Sequence, residues 1–263
     1  MTRAPAPRHI LITGGSSGIG KALAVEYARP GVAMMLTGRD QDRLNTAVEA
    51  CRNRGAAADG RIVDVADRAA MEAFVADLDD RQPLDLVVAN AGISAGTASL
   101  GADGLPGESA EQTRRIMAVN LDGVMNTVLP VIPRFRARKA GHIALVSSMA
   151  AFRGFPGAPA YCASKAAVKV WGESLRGWLA PEGVRVSVIC PGFVESRITD
   201  ANDFPMPFFM SGEKAARIIR RGLDRNRGRI AFPFPTYVGS WLAGSLPDTL
   251  VDAITRRFPA KGG

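Results

Sequence analysis

Tyr161 and Lys165 lie four residues apart in a run, residues 159–179, that reads as a helix rich in alanine. That spacing puts a phenol and an ammonium on one helix face. A free tyrosine titrates near pH 10, about three units too high for acid–base work at neutrality. A fixed positive charge beside it favours the phenolate and lowers that value. The pair therefore has the makings of a tuned proton donor and acceptor. A core tyrosine with a lysine snorkelling beside it would show the same spacing. The rest of the chain decides between the two.

Other chemistries have little to build on. His9 and His142 are the only histidines, so neither a histidine-centred triad nor a metal cluster is expected. Cys51, Cys162 and Cys190 are too scattered for a disulfide framework or a zinc site and fit a reducing cytoplasm. Of the 263 residues, 47% are apolar and 22% charged, as in soluble globular proteins. No apolar stretch reads as clean enough to span a bilayer, and residues 1–9 lack the apolar core of a signal peptide. The net charge of +8 raises nucleic acid as a partner. However, the basic groups at residues 134–139 and 217–229 fall near expected helix ends, where cations suit the helix dipole. No basic-aromatic stripe accompanies them, so a solvated surface is expected and nucleic acid is not.

A second chemical signal lies near the start. Residues 9–13 form a short apolar strand, then come Gly14, Gly15, Ser16, Ser17, Gly18, Ile19 and Gly20, then a helical stretch at residues 21–29. A glycine turn between strand and helix lets a phosphate approach the amides at the helix start. The spacing is Gly-x-x-x-Gly-x-Gly, a variant of the common dinucleotide fingerprint with the same physics. The next strand, residues 32–36, ends in Thr37, Gly38, Arg39 and Asp40. An NAD site usually places a carboxylate there for the ribose 2′-hydroxyl. Here Arg39 offers a fork of donors suited to a 2′-phosphate, and Asp40 reads as a helix cap. NADP is therefore expected over NAD.

These residues need a frame. Strand-like runs at residues 9–13, 32–36, 61–65, 84–88, 141–146, 184–190 and 229–232 alternate with helical ones, among them 41–53, 67–78, 110–138 and 159–179. The pattern predicts an α/β fold: a doubly wound, mostly parallel seven-stranded sheet with helices on both faces. No composition break divides residues 1–263, so a single domain is expected, with a lid at about residues 195–212 and a tail at about 233–263. Asn120 interrupts the 110–138 helix, Pro130 and Pro133 kink or end it, and a short helix is expected near residues 248–257. In such sheets ligands bind outside the carboxyl ends of the strands. The glycine turn, Arg39, Asp64 beside the expected adenine, Asn90, Ser148 and Pro191 all fall at those ends, and Tyr161 and Lys165 open the helix after the fifth strand.

The chain resembles the short-chain dehydrogenase/reductase family. The matching residues are Thr13 to Gly20, Asp64 with Val65, Asn90-Ala91-Gly92, Asn120, Ser148, Tyr161 with Lys165, and Pro191-Gly192, in the family's order over nearly the whole chain. The resemblance implies a Rossmann-type domain and nicotinamide-dependent interconversion of a carbonyl and an alcohol. It casts Tyr161 as general acid/base and Lys165 as the group that lowers its pKa and holds the nicotinamide ribose. Ser148 orients the carbonyl, with Ser147 as the alternative, and Asn120 anchors a proton-relay water. Pro191, Gly192 and Val194 border the nicotinamide. Two positions depart from the pattern: Ala89 replaces an asparagine, and Ser196 replaces a threonine, keeping a hydroxyl for the cofactor.

The expected reaction is thus NADP(H)-dependent, with a small-molecule carbonyl or alcohol as substrate. A non-catalytic NADP-binding regulator is the competing class, but such proteins lose the tyrosine or the lysine. Phe204, Met206, Phe208, Phe209 and Met210 in the lid, Phe152 and Phe155 before Tyr161, and Phe232, Phe234, Tyr237 and Trp241 in the tail, near Arg256 and Arg257, point to a lipophilic substrate. It could be taken from a membrane surface. A small polar or sugar-like substrate, with the lid and tail merely packed, is the alternative. Val168, Val170, Trp171 and Trp178 exceed what one sheet face needs, and a homodimer or homotetramer is expected.

Overall fold

Both parities of the apolar strands are hydrophobic, so each strand must be covered on both faces. The computed structural model, which describes residues 6–94, 108–200, 205–247 and 249–251, shows how. In β1 (His9–Ile12), Ile10 and Ile12 enter one core layer and Leu11 the other. The same split holds in β4 (Leu86–Ala89) and β5 (His142–Val146). With β2 (Ala33–Gly38), β3 (Ala57–Ile62), β6 (Arg185–Pro191) and β7 (Arg229–Phe232), they form one sheet in the order β3-β2-β1-β4-β5-β6-β7. Every pairing is parallel, for example Ile10 with Met34 and with Leu86.

The layer on the Ile10 side packs α1 (Gly18–Tyr27), α2 (Gln41–Arg52) and α9 (Gly212–Asp224) through Leu23, Leu44 and Ile219. The other packs α3 (Arg68–Arg81), α5 (Gly123–Val128), α6 (Val131–Ala137) and α7 (Pro159–Leu179) through Phe74, Val128, Phe135 and Val168. Three shorter or peripheral helices complete the order: α4 (Ala110–Met117), α8 (Arg197–Asp200) and α10 (Phe234–Ser245). Asp40 and Asp67 cap α2 and α3, accepting from Arg43 N and Ala70 N at 3.0 Å.

Several elements differ from the sequence reading. The third strand ends at Ile62, so Asp64 and Val65 lie beyond it. This edge strand, Ala-Ala-Asp-Gly-Arg-Ile, has weak β propensity and among the described residues pairs with β2 alone, so the apolar run that follows it reads as more strand-like. The long helix of residues 110–137 breaks into α4, a π turn at Ala118–Asp122, α5, and α6 after Pro130. By length and composition this run could cross a membrane, against the first reading, yet Ile116, Val124, Val128 and Phe135 bury in the core. The tail forms α10 earlier than expected. Pro235 is tolerated in its first turn, and Gly239 and Gly244 had masked its periodicity. Of the helix expected near residues 248–257, residues 249–251 are helical and the others lie outside the described residues. The Gly-rich loop at residues 96–107 also lies outside them.

One buried charge clamps the underside of the sheet. Asp79, 5% exposed, accepts hydrogen bonds from Leu84 N at 2.8 Å and from both terminal nitrogens of Arg138 at 2.8 and 2.7 Å, with Arg134 at 3.4 Å. Burial alone would raise its carboxyl's pKa. The Arg138 and Leu84 hydrogen bonds and the two guanidinium charges outweigh that and hold it below the ordinary value. A depressed folded pKa contributes stability above the unfolded value of about 3.9, which is lost as pH falls through the folded value. Asp79→Ala leaves Arg138 without its carboxylate partner, with the Leu84 carbonyl still accepting from it, and is expected to lower the unfolding free energy by about 3 kcal/mol at pH 7. Urea denaturation of both chains measures this, and the gap should narrow below about pH 4. A gap under about 1 kcal/mol at neutral pH would place Asp79 among ordinary surface pairs.

Candidate active site

The strand order reverses between β1 and β4, which opens a crevice at their carboxyl ends. The glycine turn fills one side of it. Gly14 and Gly18 have φ of 65° and 50°, in the left-handed region. A Cβ on Gly20 would sit 2.3 Å from Gly14 O, and one on Gly14 2.8 Å from Ala91 Cα. Only glycine fits this close approach of backbones. Asn90 pins the turn from β4: its Nδ2 donates to Thr13 O and Gly14 O, both at 3.0 Å. Thr13 Oγ1 accepts from Asn90 N and Ala91 N at 3.1 and 3.3 Å. Asn90 and Ala91 thus shape the cradle from beneath. Ser17 precedes α1 and its hydroxyl makes no capping bond there, while Ser16 lies against Gly38. Ile19 packs on the core. The first amides of α1 lack carbonyl partners within the helix, as an anion site at a helix start requires.

Arg39 follows β2 and is exposed. Asp40 is engaged with the amide and guanidinium of Arg43, so it holds no free carboxylate toward the crevice. Asp64, past the end of β3, is exposed and accepts from Ala66 N at 3.0 Å. Val65 is buried against α5, where a Cβ on Gly123 would meet it at 2.6 Å.

On the other side of the crevice, α7 begins at Pro159, whose missing amide suits a helix start. The Ser148 hydroxyl, which accepts from Ala150 N at 3.1 Å, lies near enough to the Tyr161 phenol to act on its titration. Ser147 is turned away, its Oγ donating to Lys165 O at 2.7 Å. Lys165 is 3% exposed, and its Nζ donates to Val146 O at 3.0 Å and sits 5.8 Å from the Tyr161 ring centre. Burial pushes the ammonium down to about 8. The expected lowering of the phenol's pKa by Lys165 is not what this arrangement gives. Burial of Tyr161 dominates and raises it, with the neighbouring Ser148 hydroxyl opposing the rise.

Asn120 is fully buried in the π turn, a form of backbone common at functional sites. Its Oδ1 accepts from Ile93 N at 2.8 Å, and its Nδ2 donates to Ile93 O at 2.9 Å and Ser164 Oγ at 3.1 Å. Both of its amide hydrogens are therefore engaged, and the side chain ties Ile93 to α7. A Cβ on Gly92 would lie 3.2 Å from Lys165 Nζ and 3.3 Å from Asn120 Oδ1, so these three residues converge.

The sequence reading missed Ser164, Thr199 and Glu108, and gave Thr13 no role of its own within the glycine motif. Ser164 links Asn120 to Tyr161 O, donating to that carbonyl at 2.8 Å. Glu108 Oε2 accepts from Ala160 N at 2.9 Å and so caps α7, whose own cap residue Ala158 makes no side-chain bond. Thr199 and Glu108 belong to no local motif, whereas Thr13 opens the glycine motif and Ser164 lies inside the Tyr161–Lys165 segment.

The segment after β6 closes over the turn. Gly192 N donates to Phe232 O at 2.7 Å, and Pro191 ends β6 opposite Phe232. Val194 is buried and bridges to Met210. A Cβ on Gly18 would meet Ser196 Cβ at 2.9 Å, so Ser196 lies on the glycine turn. Thr199 Oγ1 holds this bend by donating to Val194 O at 2.9 Å. Phe208 and Phe209 are about half exposed, at 58% and 48%. One of the tail aromatics and one of the aromatics expected at the crevice pack elsewhere. Phe232 is core, and Phe152 packs edge-on to Tyr237 at 5.6 Å with Lys169 and Arg229 beside its ring. Phe204, Arg256 and Arg257 lie outside the described residues.

The family model for short chain dehydrogenases matches residues 8–204. An uncharacterized oxidoreductase of Myxococcus xanthus (strain DK1622) is 39% identical over 252 residues, covering 95% of this chain and 97% of its own. Two solved structures share the fold at 24% identity. One is a short-chain dehydrogenase from Sphingobium yanoikuyae in complex with NADPH, with TM-score 0.78 over 95% of this chain and 96% of that one. The other is a short chain dehydrogenase/reductase from Burkholderia phymatum in complex with NAD, with TM-score 0.79 over 97% of each. The chain belongs to the short-chain dehydrogenase family and is an NAD(P)-dependent oxidoreductase.

Proposed function

We propose that the protein uses NADP(H) to interconvert a lipophilic carbonyl compound and its secondary alcohol, with Asn120, Ser148, Tyr161 and Lys165 as its machinery. The observation that carries the reading is the Ser148–Tyr161 hydroxyl pair beside a buried lysine, facing a cradle that admits only backbone. The cradle fits a dinucleotide. Gly14 to Gly20 would take its pyrophosphate, Arg39 the 2′-phosphate, Asp64 and Val65 the adenine side, Asn90 to Gly92 and Lys165 the nicotinamide ribose, and Pro191, Gly192, Val194 and Ser196 the nicotinamide end. When bound, it supplies the hydride for the carbonyl carbon.

This chain's own residues handle the oxygen. Tyr161, kept protonated at neutral pH by burial, donates its proton to the oxygen as negative charge develops. Ser148 donates a hydrogen bond to the same oxygen. Asn120 and Ser164 hold the start of α7 against Ile93, fixing where the phenol stands. The burial of Cys51, Cys162 and Cys190 accords with the reducing cytoplasm proposed for the chain.

Tyr161→Phe removes only the proton donor. Turnover is expected to fall by about 10² to 10⁴, while the NADPH dissociation constant stays within about twofold. Near-normal turnover would refute the assignment. The preference for NADPH rests on Arg39. In Arg39→Ala the ratio of kcat/KM for NADPH to that for NADH should fall about tenfold or more, the worth of one charge-assisted contact. Equal kcat/KM for the two cofactors in the unaltered protein would remove the basis for NADP.

The substrate class rests on Phe208 and Phe209. Phe208 holds φ of 58°, a strained conformation for a bulky residue, and both rings stay largely exposed where the lid returns to Met210. A substrate chain would cover them. Across a series of ketones, kcat/KM should rise about fourfold per methylene, from about 0.8 kcal/mol per buried methylene. A flat series, or a preference for small polar ketones, would overturn this reading.

Val168 and Trp171 pack on the core, contrary to the first expectation, but Val170 and Trp178, eight residues apart on α7, are more than half exposed. We take this strip as the face of a homodimer or homotetramer. Light scattering at micromolar concentration should show the oligomer, and Val170→Asp with Trp178→Asp should dissociate it. A monomeric parent chain would contradict it.

A further inference from the structure

A helix on the surface of a globular protein normally turns its apolar stripe inward. In α10 the arrangement is reversed. Phe234, Val238, Trp241 and Leu242 occupy positions i, i+4, i+7 and i+8, one face of the helix. Phe234 is 72% exposed, Trp241 52% and Leu242 48%, and no residue of the helix is buried. The small and polar side meets the protein. A Cβ on Gly244 would lie 2.6 Å from Phe152 O, Tyr237 packs on the Phe152 ring, and Thr236 lies near Gly192. From Phe234 to Ser245 the helix carries no charge. Its own packing therefore does not explain the stripe.

The charge beside it identifies what covers it. A groove of about 340 Å³ runs along the free edge of β7, between α9 and α10, and Phe234 and Tyr237 form part of its wall. Arg221, Arg225, Arg227 and Arg229 line it. Arg229 is held by Glu173 and Tyr237. Arg221, Arg225 and Arg227 are exposed and make no ion pair among the described residues. The nearby Asp224 acts on Tyr27 and Arg185, behind α9. The face thus combines an uncharged aromatic and aliphatic stripe with a cationic rim whose Arg221, Arg225 and Arg227 make no ion pair among the described residues.

We infer that this face docks the protein on an anionic membrane surface, with Phe234, Trp241 and Leu242 entering the interface and Arg221, Arg225 and Arg227 meeting lipid phosphates. Aromatic rings favour the headgroup boundary, and cationic side chains beside a shallow apolar stripe are how interfacial helices hold to anionic lipid. A two-fold contact between copies through this face would set two arginine rims against each other. The helix also backs onto Gly192 and Phe152, so a docked molecule would hold the mouth of the crevice near the bilayer. The docking itself does not depend on the reaction or the substrate.

The test is co-sedimentation of the full chain with vesicles, either phosphatidylcholine alone or phosphatidylcholine mixed with phosphatidylglycerol. The chain should partition onto the mixed vesicles at low salt, much less onto the neutral ones, and release as salt rises. Replacing Phe234→Ser and Trp241→Ser together should cut partitioning at least about tenfold with an unchanged melting temperature. Replacing Arg221, Arg225 and Arg227 by Gln should cut it roughly a hundredfold on mixed vesicles, about fivefold for each arginine. No partitioning of the parent chain onto mixed vesicles would overturn the inference. So would serine variants that bind as the parent does, or serine variants that split an oligomer while the parent stays off the vesicles. None of these readouts requires turnover, so a failure here is separate from a failure of the oxidoreductase reading.

Discussion

The crevice depends on one forked hydrogen bond. Asn90 Nδ2 donates to the carbonyls of Thr13 and Gly14, joining the ends of β4 and β1 at the point where the strand order reverses. The turn needs this support because its tight left-handed glycine carries backbone carbonyls away from the sheet ladder before the α1 hydrogen bonds begin. A buried carbonyl left without a donor costs about 1–3 kcal/mol. The same fork places Ala91 Cα so close to Gly14 that a side chain cannot intervene. One amide therefore satisfies the backbone and sets the gap into which a phosphate-bearing ligand fits.

A second constraint operates across the crevice, where charge is kept under the sheet's edge. Lys165 is nearly inaccessible, with the Val146 carbonyl as its hydrogen-bond partner, and burial brings its pKa to about 8. The phenol four residues earlier is pushed the other way, toward its neutral form. Desolvation disfavours the charged state of each, so in the free protein the pair sits closer to neutral–neutral than the sequence spacing alone implies. A negatively charged ligand beside Lys165 would favour the ammonium again. The two halves of the site are thereby coupled through electrostatics, although the glycine turn and α7 are far apart in sequence.

Much of this was legible in the sequence because it is local. The glycine turn, the Tyr161–Lys165 spacing, the α7 boundaries and the alternation of strands and helices all express short-range geometry that residue type dictates. What was not legible depends on partners distant in the chain. β3 is a strand because β2 supplies its ladder, not because Ala57 to Ile62 favour one. Glu108 caps α7 across 52 residues, and Asn120 ties Ile93 to Ser164 through a π turn that no periodicity announces. Phe152 looked like a crevice aromatic by position, but the cations of Lys169 and Arg229 and the edge of Tyr237 give its ring a better place in the packing.

The two edges of the sheet show how fold and function divide the molecule. A free edge strand invites pairing with another chain unless something blunts it. β3 does so with composition: Asp59, Gly60 and Arg61 interrupt its six residues, and a Cβ on Gly60 would meet Leu44 of α2 at 2.9 Å, so the helix lies close over it. β7 is only four residues long and runs directly into Pro233, which has no amide to offer a further strand. Arg229 opens it, and α10 folds back beside it. The first edge lies beside α2, on the side of the sheet that carries Arg39 and Asp64. The second borders the lid and the mouth of the crevice, and there the protection is built from aromatic rings and arginines rather than from small polar residues. An edge that only had to avoid pairing would not need to expose Phe234 and Trp241. Their presence on this edge and absence from the other is the asymmetry on which the inferred docking face rests.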